Sequence, residues 1–293
     1  IPVPDIFDFD RNLVFFNRNK DECMHEVIER SLIKPIEVGS MRSLVKISAP
    51  QDTALRLTVL AGNKPESKDD QELLITYIKN LFDLNTDLQP FYKMAKQDPL
   101  LKDLVEEYDG LRIVQIPDLF EALCWGIFGQ QINLRFAYQL KRQFVEKYGE
   151  SLVYQGKTYW FFPHYEKIAS LSVEELSEIK MTRRKSEYMI GIAQLMTSGE
   201  LSKDKLLQLG DPAIIEKDLV TIRGIGPWTA NYLLMRCLGF TSAFPIDDVG
   251  LQNAIKKRLA LTEKPSKAEI KKLALHWKGW EAYATFYLWH QFN

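Results

Sequence analysis

The chain of 293 residues is 46% hydrophobic and 26% charged, the balance of a soluble globular protein with room for one large domain or two ordinary ones. No apolar run approaches the ~18–20 residues that span a bilayer, and the opening "IPVPDIFDFD" lacks the basic and apolar regions of a secretory leader. The net charge of −1 is unevenly spread: residues 1–110 carry 14 basic against 20 acidic side chains, and residues 212–293 carry 11 against 7, so a polyanion partner is expected on the C-terminal third.

Three cysteines, Cys23, Cys124 and Cys237, lie far apart without a C-x-x-C pair. That excludes a four-cysteine iron–sulfur cluster and argues against a disulfide scaffold or a zinc site.

From the N-terminus, "RSLVKISA" (42–49) and "TALRLTVLAG" (53–62) alternate apolar and polar residues around the turn "APQD", and "IEVGS" (36–40) offers a further strand. "DQELLITYIKNLFDL" (70–84) has helical spacing. Residues 1–85 therefore read as a small antiparallel β-rich lobe with packed helix. Residues 86–293 read as a helical core in two helical subdomains, giving an α+β protein that is mostly α-helical. Helices are expected over 87–97, 99–108, 117–132, 134–148, 163–170, 172–177, 183–197 and 201–207. A further set is expected over 212–219, 227–239, 249–258, 266–276 and 279–292. Pro117, Pro163, Pro212 and Pro227 suit first helical turns, and "SVEE" from Ser172 and "SKAE" from Ser266 are capping boxes.

The most informative stretch is "LVTIRGIGPWTANYLLMRCLGFTSAFPIDDVGLQNAIKK" (219–257). Gly224 and Gly226 flank Ile225, permitting a tight turn with positive φ while the isoleucine plugs the space between two helices. Pro227 pre-sets the next helix, whose first N–H groups and positive dipole end are left unshielded by the glycines. Such a turn binds a phosphate through backbone alone, or it is an ordinary connection between helices; spacing does not decide. Asp247 and Asp248 are helix N-cap candidates for 249–258.

The run "LVTIRGIGPWTANYLLMRCLG" followed by "FPIDD" resembles the helix-hairpin-helix/Gly-Pro-Asp superfamily of DNA glycosylases, with the hairpin over 212–240. The order of hairpin, "WTANY", "DD", "GQ" and a "WxxYAxxxLW" ending is similar to its alkylbase branch, 3-methyladenine-DNA glycosylase II. The resemblance covers 111–293, and the β-rich start suits the same branch.

The resemblance implies a hydrolase of base-excision repair that flips damaged purines of the 3-methyladenine and 7-methylguanine type out of duplex DNA and leaves an abasic site. Asp248 takes the catalytic position, and Asp247 a capping or outward-facing one. Trp228, Tyr232 and Trp289 are implied as base pocket, their faces suited to a cationic alkylated base, though aromatics at such spacing also serve as plain core. Bifunctional members carry a lysine two positions after the second glycine; here that position is Trp228, so no Schiff base and no strand nicking are expected. Gln130, Gln131, Ile132, Arg223, Gly224, Ile225, Gly226 and Thr229 are implied DNA contacts, with Lys256, Lys257 and Arg258 as further basic candidates. Either Gln131 or Ile132 is the wedge that fills the gap left by the flipped nucleotide. Val249 and Gly250 stand where bulkier residues are expected, implying a roomier or reshaped pocket.

No cofactor is expected beyond a monovalent cation on the backbone carbonyls of Val220, Ile222 and Ile225. The expected setting is cytoplasmic and nucleoid-associated, as a monomer on double-stranded DNA. Two alternatives remain: an oxidised-guanine glycosylase/lyase of the same architecture, and a non-catalytic lesion-binding module.

Overall fold

The computed structural model describes residues 1–291. Helix α1 (Phe9–Phe16), capped by Asp8, leads into an antiparallel sheet of β1 (Glu26–Ile28), β2 (Ser31–Val38), β3 (Met41–Gln51) and β4 (Ala54–Gly62), ordered 1-2-3-4. β3 and β4 are the two expected strands. The third expected strand starts earlier, at Ser31, and α1 and β1 were not foreseen. Residues Leu32, Lys34 and Ile36 share one face of β2 by its period of two, and Leu32 and Ile36 belong to the main core. The other face, through Ile33, meets Leu44 and Tyr159.

α2 (Lys68–Leu81), capped by Ser67, packs on β2. There follow α3 (Gln89–Ala95), α4 (Lys102–Glu107), α5 (Leu119–Phe128) and α6 (Leu134–Tyr148). An unexpected hairpin, β5 (Ser151–Tyr154) and β6 (Lys157–Trp160), returns from the middle of the chain to lie against β4 and β2. Next come α7 (Tyr165–Ala169), α8 (Val173–Ser177), α9 (Arg183–Thr197) and α10 (Lys203–Gln208). The chain closes with α11 (Pro212–Leu219), α12 (Pro227–Arg236), α13 (Val249–Arg258), α14 (Lys267–Leu273), a 3₁₀ turn (Ala274–Trp277) and α15 (Glu281–His290). The architecture is the expected α+β one. α5 is buried along its whole length and is contacted by α6, α9 and α12, which makes it the axis of the helical part.

Both capping boxes form, and Pro212 and Pro227 occupy first turns. Pro117 and Pro163 do not: each precedes the N-cap, Asp118 and His164 respectively. The helix expected to reach 132 ends at Phe128, because Gln131 adopts a left-handed φ of 56°. The one expected to reach 239 ends at Arg236, and the final expected helix end, 292, lies outside the described residues. Among the described residues no helix is long and apolar enough to cross a membrane.

The packing encloses an unusual amount of charge. The Arg112 guanidinium donates to the carbonyls of Ile6 (2.8 Å), Asp83 (2.5 Å) and Thr86 (2.9 Å), tying three segments together. Lys141 on α6 lies 3.1 Å from Glu22 and 3.1 Å from Glu121 on α5. Despite the burial that opposes it, the Lys141 charge holds Glu22 well below the usual carboxylate range. Replacing one member of such a buried set leaves uncompensated charge, at a cost of about 3–5 kcal/mol. Lys141→Met is therefore expected to lower unfolding free energy by that order in urea titrations; a loss under about 1 kcal/mol would show that the pairs contribute little.

His25 Nε2 donates to the Phe16 carbonyl at 2.9 Å, and burial pushes its ring down to about 4. The folded state thus refuses a proton that the unfolded chain takes up near 6.5. Stability from this group is present above pH 6.5 and is lost as pH falls toward 4, at about 1.4 kcal/mol per pH unit for one proton. Urea midpoints measured between pH 6.5 and 4 are expected to fall less steeply in His25→Gln than in the parent; equal slopes would refute the assignment.

Candidate active site and nucleic-acid interface

The hairpin forms as its punctuation requires. α11 ends at Leu219 with Val220 as its C-cap, the Ile225 N–H donates to the Ile222 carbonyl at 3.0 Å, and Ile225 is buried between the helices. The two glycines serve different purposes. Gly224 has φ of 100°, and a Cβ there would run into the Tyr188 ring. Gly226 has an ordinary φ of −98°, so the expectation of positive φ holds for Gly224 alone. Gly226 is the N-cap of α12, has open space around it, and supplies no side-chain cap. The first N–H groups of α12 are thereby left bare, the arrangement that receives an anion.

At Asp248 three helices converge. The residue is the N-cap of α13, its Oδ1 accepting from the Leu251 N–H at 2.8 Å. The same Oδ1 accepts from the Trp289 indole N–H at 2.8 Å, and Oδ2 accepts from the Trp228 indole N–H at 2.9 Å. Trp228 and Trp289 are thus the donors that hold the carboxylate. A carboxylate has about four lone-pair positions; three are used, and the remaining one, on Oδ2, is free for substrate or water. Asp247 turns outward to pair with Lys267.

Trp228 and Tyr232 project from one face of α12 as their spacing predicts, stacked with ring centroids 5.3 Å apart and planes at 26°. Trp289 lies 6.4 Å from Tyr232 at 33°. Rings this close are in contact, so a base would stack on the trio rather than between Trp228 and Tyr232. Gly250 does not open extra room. A Cβ there would come 2.9 Å from Asp248 Oδ1 and 3.3 Å from the Trp289 ring, so the glycine is what lets indole and carboxylate meet. Of the two expectations there, a roomier or a reshaped pocket, the Cβ distances at Gly250 speak against added room only.

Gln130 and Gln131 diverge. Gln130 Nε2 donates to the Gly224 carbonyl at 2.8 Å, bracing the loop after α5 against the hairpin. Gln131 is exposed at its left-handed φ, whereas Ile132 is half-buried against the core. A cleft of about 400 Å³ runs between this loop, the hairpin and the start of α9, with Arg184, Lys185 and Tyr188 on its far side. Lys185 is held there by the Phe128 carbonyl at 2.9 Å, and burial lowers its pKa. Thr229 is buried, its methyl against Gly126, so only its backbone belongs to the open helix end. Arg223 is exposed and pairs with Glu187 at 2.8 Å, and Arg258 pairs with Asp103 at 3.2 Å. Lys256 and Lys257 stand in the last turn of α13, away from the Asp248 end. Among the described residues no group of three or more His, Cys, Asp or Glu side chains could hold a metal ion.

Sequence reasoning missed Gln130 as a brace, Gly250 as a spacer and Lys185 as a cleft residue. All three depend on contacts between distant segments.

Residues 124–280 match the family described as HhH-GPD superfamily base excision DNA repair protein, more than half of the chain. The chain belongs to that superfamily. It is a DNA glycosylase of base-excision repair. Residues 9–123 match the family described as 8-oxoguanine DNA glycosylase, N-terminal domain. A DNA-3-methyladenine glycosylase of Bacillus subtilis (strain 168) is 53% identical over 289 residues, covering 99% of this chain and 95% of that protein. Among solved structures, the 3-methyladenine DNA-glycosylase from Archaeoglobus fulgidus aligns with a TM-score of 0.81 at 22% identity, over 99% of this chain and 97% of that one. The Clostridium acetobutylicum 8-oxoguanine glycosylase/lyase, solved with double-stranded DNA, aligns at 0.75 and 21% identity, over 97% and 91%. At those identities the two structures speak for the fold.

The Gly250 contact gives this glycosylase a sharp test. Gly250→Ala must push the Asp248 carboxylate or the Trp289 ring, and a misplacement near 1 Å costs on the order of 10²-fold in rate. Single-turnover base release is expected to fall by about that factor with an unchanged melting temperature; full activity would show that the carboxylate position is not fixed by Trp289.

Proposed function

We propose that this glycosylase is monofunctional and hydrolyses the N-glycosidic bond of alkylated purines, of the 3-methyladenine and 7-methylguanine type, in duplex DNA. The observation that carries the reading is the Asp248 carboxylate held by two indole N–H groups beside an uncapped helix end. The bare N-terminus of α12 and the Gly224–Gly226 turn receive a backbone phosphate, which registers the strand without reading sequence. With the flipped sugar placed over Asp248, the free lone-pair position on Oδ2 faces the developing positive charge of the oxocarbenium-like sugar and orients water toward it. Alkylation at N3 or N7 already makes the purine a good leaving group, so one carboxylate and an aromatic wall suffice.

Trp228 stands where a lyase of this superfamily carries its lysine, and an indole offers no nucleophilic amine. Hydrolysis therefore ends at an abasic site, with the strand intact. Gln131, exposed at the tip of its loop, is the better placed of the two wedge candidates, and Ile132 contributes to seating the loop. Arg223, Thr229 through its backbone, and Ile225 complete the strand contact. A monovalent cation on the carbonyls of Val220, Ile222 and Ile225 would further support the turn. We place the enzyme as a monomer on chromosomal DNA inside the cell.

Free base released from methylated duplex DNA is the direct measurement. The parent protein is expected to release methylated purine and to leave a strand that breaks only after alkali. Asp248→Asn is expected to slow release by about 10²–10³-fold while duplex binding persists. Nicking without alkali would favour the glycosylase/lyase alternative. Binding without release by either protein would favour a lesion-binding module.

A further inference from the structure

The joint between the hairpin and the loop after α5 is fastened at several points. α5 ends at Phe128, and the Gln130 N–H still donates to the Ile127 carbonyl at 3.2 Å, so the backbone of Gln130 continues the last turn of that buried helix. Its side chain then leaves the helix and donates to the Gly224 carbonyl at 2.8 Å. The N–H of the same Gly224–Ile225 peptide donates to the Ile222 carbonyl at 3.0 Å. Both ends of one peptide plane are therefore held, one from inside the hairpin and the other from the end of α5.

α9 ties the same two partners a second time. Lys185 donates to the Phe128 carbonyl at 2.9 Å. Three residues on, the Tyr188 ring lies so close to Gly224 that a Cβ there would run into it. Gln131 behaves in the opposite way: its left-handed φ of 56° turns it out of the helix and leaves it exposed. Brace and wedge are thus consecutive residues, one pinned to the hairpin turn and the next released from it.

The chemistry of the brace calls for an amide. The Gly224 carbonyl only accepts, so a donor must face it, and the Gln130 N–H that does so is spent on the protein and not on a phosphate.

We propose that Gln130 is a positioning residue for base flipping: it sets Gln131 at a fixed offset from the turn that receives the phosphate, so that seating the strand on the hairpin also aligns the wedge. This is a different role from the strand contact that the resemblance implies. Extruding a base costs unstacking energy. A wedge already in place enters without a further loss of freedom, whereas a loop that swings has to be ordered at each encounter. The brace accordingly acts on opening of the stack and leaves strand affinity alone. The proposal rests on the reading of Gln131 as the wedge.

Gln130→Met keeps the length of the side chain and removes the donor. The test compares the parent, Gln130→Met, Gln131→Ala and the double variant. Each is measured for single-turnover release of 7-methylguanine at saturating enzyme, for fluorescence of a 2-aminopurine stacked beside the lesion, and for duplex affinity by anisotropy. Loss of one hydrogen bond of ordinary strength predicts that Gln130→Met releases base roughly 3–10-fold more slowly, with a smaller fluorescence rise. Melting temperature is expected to be unchanged, and Kd to stay within the twofold scatter of about 0.4 kcal/mol. Because Gln130 acts through Gln131, the double variant is expected to be no slower than Gln131→Ala, to within about twofold. Losses that multiply in the double variant, an affinity loss as large as the rate loss, or no effect of Gln130→Met would each overturn the proposal and leave Gln131 as the wedge. A Gln131→Ala protein as fast as the parent would overturn the wedge reading and the proposal with it.

Discussion

The carboxylate of Asp248 is the point on which the site is built. It accepts one backbone and two indole N–H groups, and so binds the start of α13 to α12 and α15. Each donor imposes something on the chain. The indoles require tryptophan at 228 and 289, and their approach requires glycine at 250. The loop that delivers Asp248 is itself fastened to α12, because Asn231 accepts from the Phe244 N–H at 2.9 Å and donates to the Pro227 carbonyl at 3.0 Å. One short helix thus carries an uncapped end, an aromatic face, and an amide that positions the loop bearing Asp248.

The N-terminal residues are part of that arrangement. Phe15 of α1 packs 5.1 Å from Phe286 of α15 and lies under two guanidinium groups, so the first helix forms the back of the site. What holds α1 and the sheet to the helices is polar as much as apolar. Arg112 gathers three carbonyls from two segments, and Lys141 joins the loop after α1 to α5. Buried ionic groups of this kind are weak contributors to net stability, but they tolerate few alternative arrangements of their partners. They fix the back wall relative to the front.

The hairpin and its acid could be read from the sequence because their signals are local. Gly-Ile-Gly-Pro has few structural meanings, and an aspartate ahead of a helical run is a cap by the simplest rule. The helix ends were harder: the break after Phe128 comes from the left-handed backbone at Gln131, a residue type with no special preference for it. The β5–β6 hairpin did carry a local signal, since "SLVYQGKTYW" alternates around Gln155 and Gly156, both with positive φ. Its shortness hid it among helices. The contacts of Trp289 with Asp248 and of Gln130 with Gly224 had no local signal at all. They join residues far apart in the chain, and only tertiary packing brings them together.

Two readings of Asp248, helix cap and catalytic acid, looked like rivals in the sequence, and the geometry leaves them compatible. Capping uses Oδ1, and the same oxygen takes the Trp289 indole. That turns Oδ2 outward with only the Trp228 indole attached. The cap therefore determines which oxygen keeps an open position. The contrast with α12 completes the logic. Both helices present N-terminal N–H groups toward the site, but α13 carries its own carboxylate there and α12, starting at glycine, carries none. One helix end has been filled from within the chain so that its acid is fixed; the other has been left empty, where the phosphate of the nucleic acid can serve as its cap.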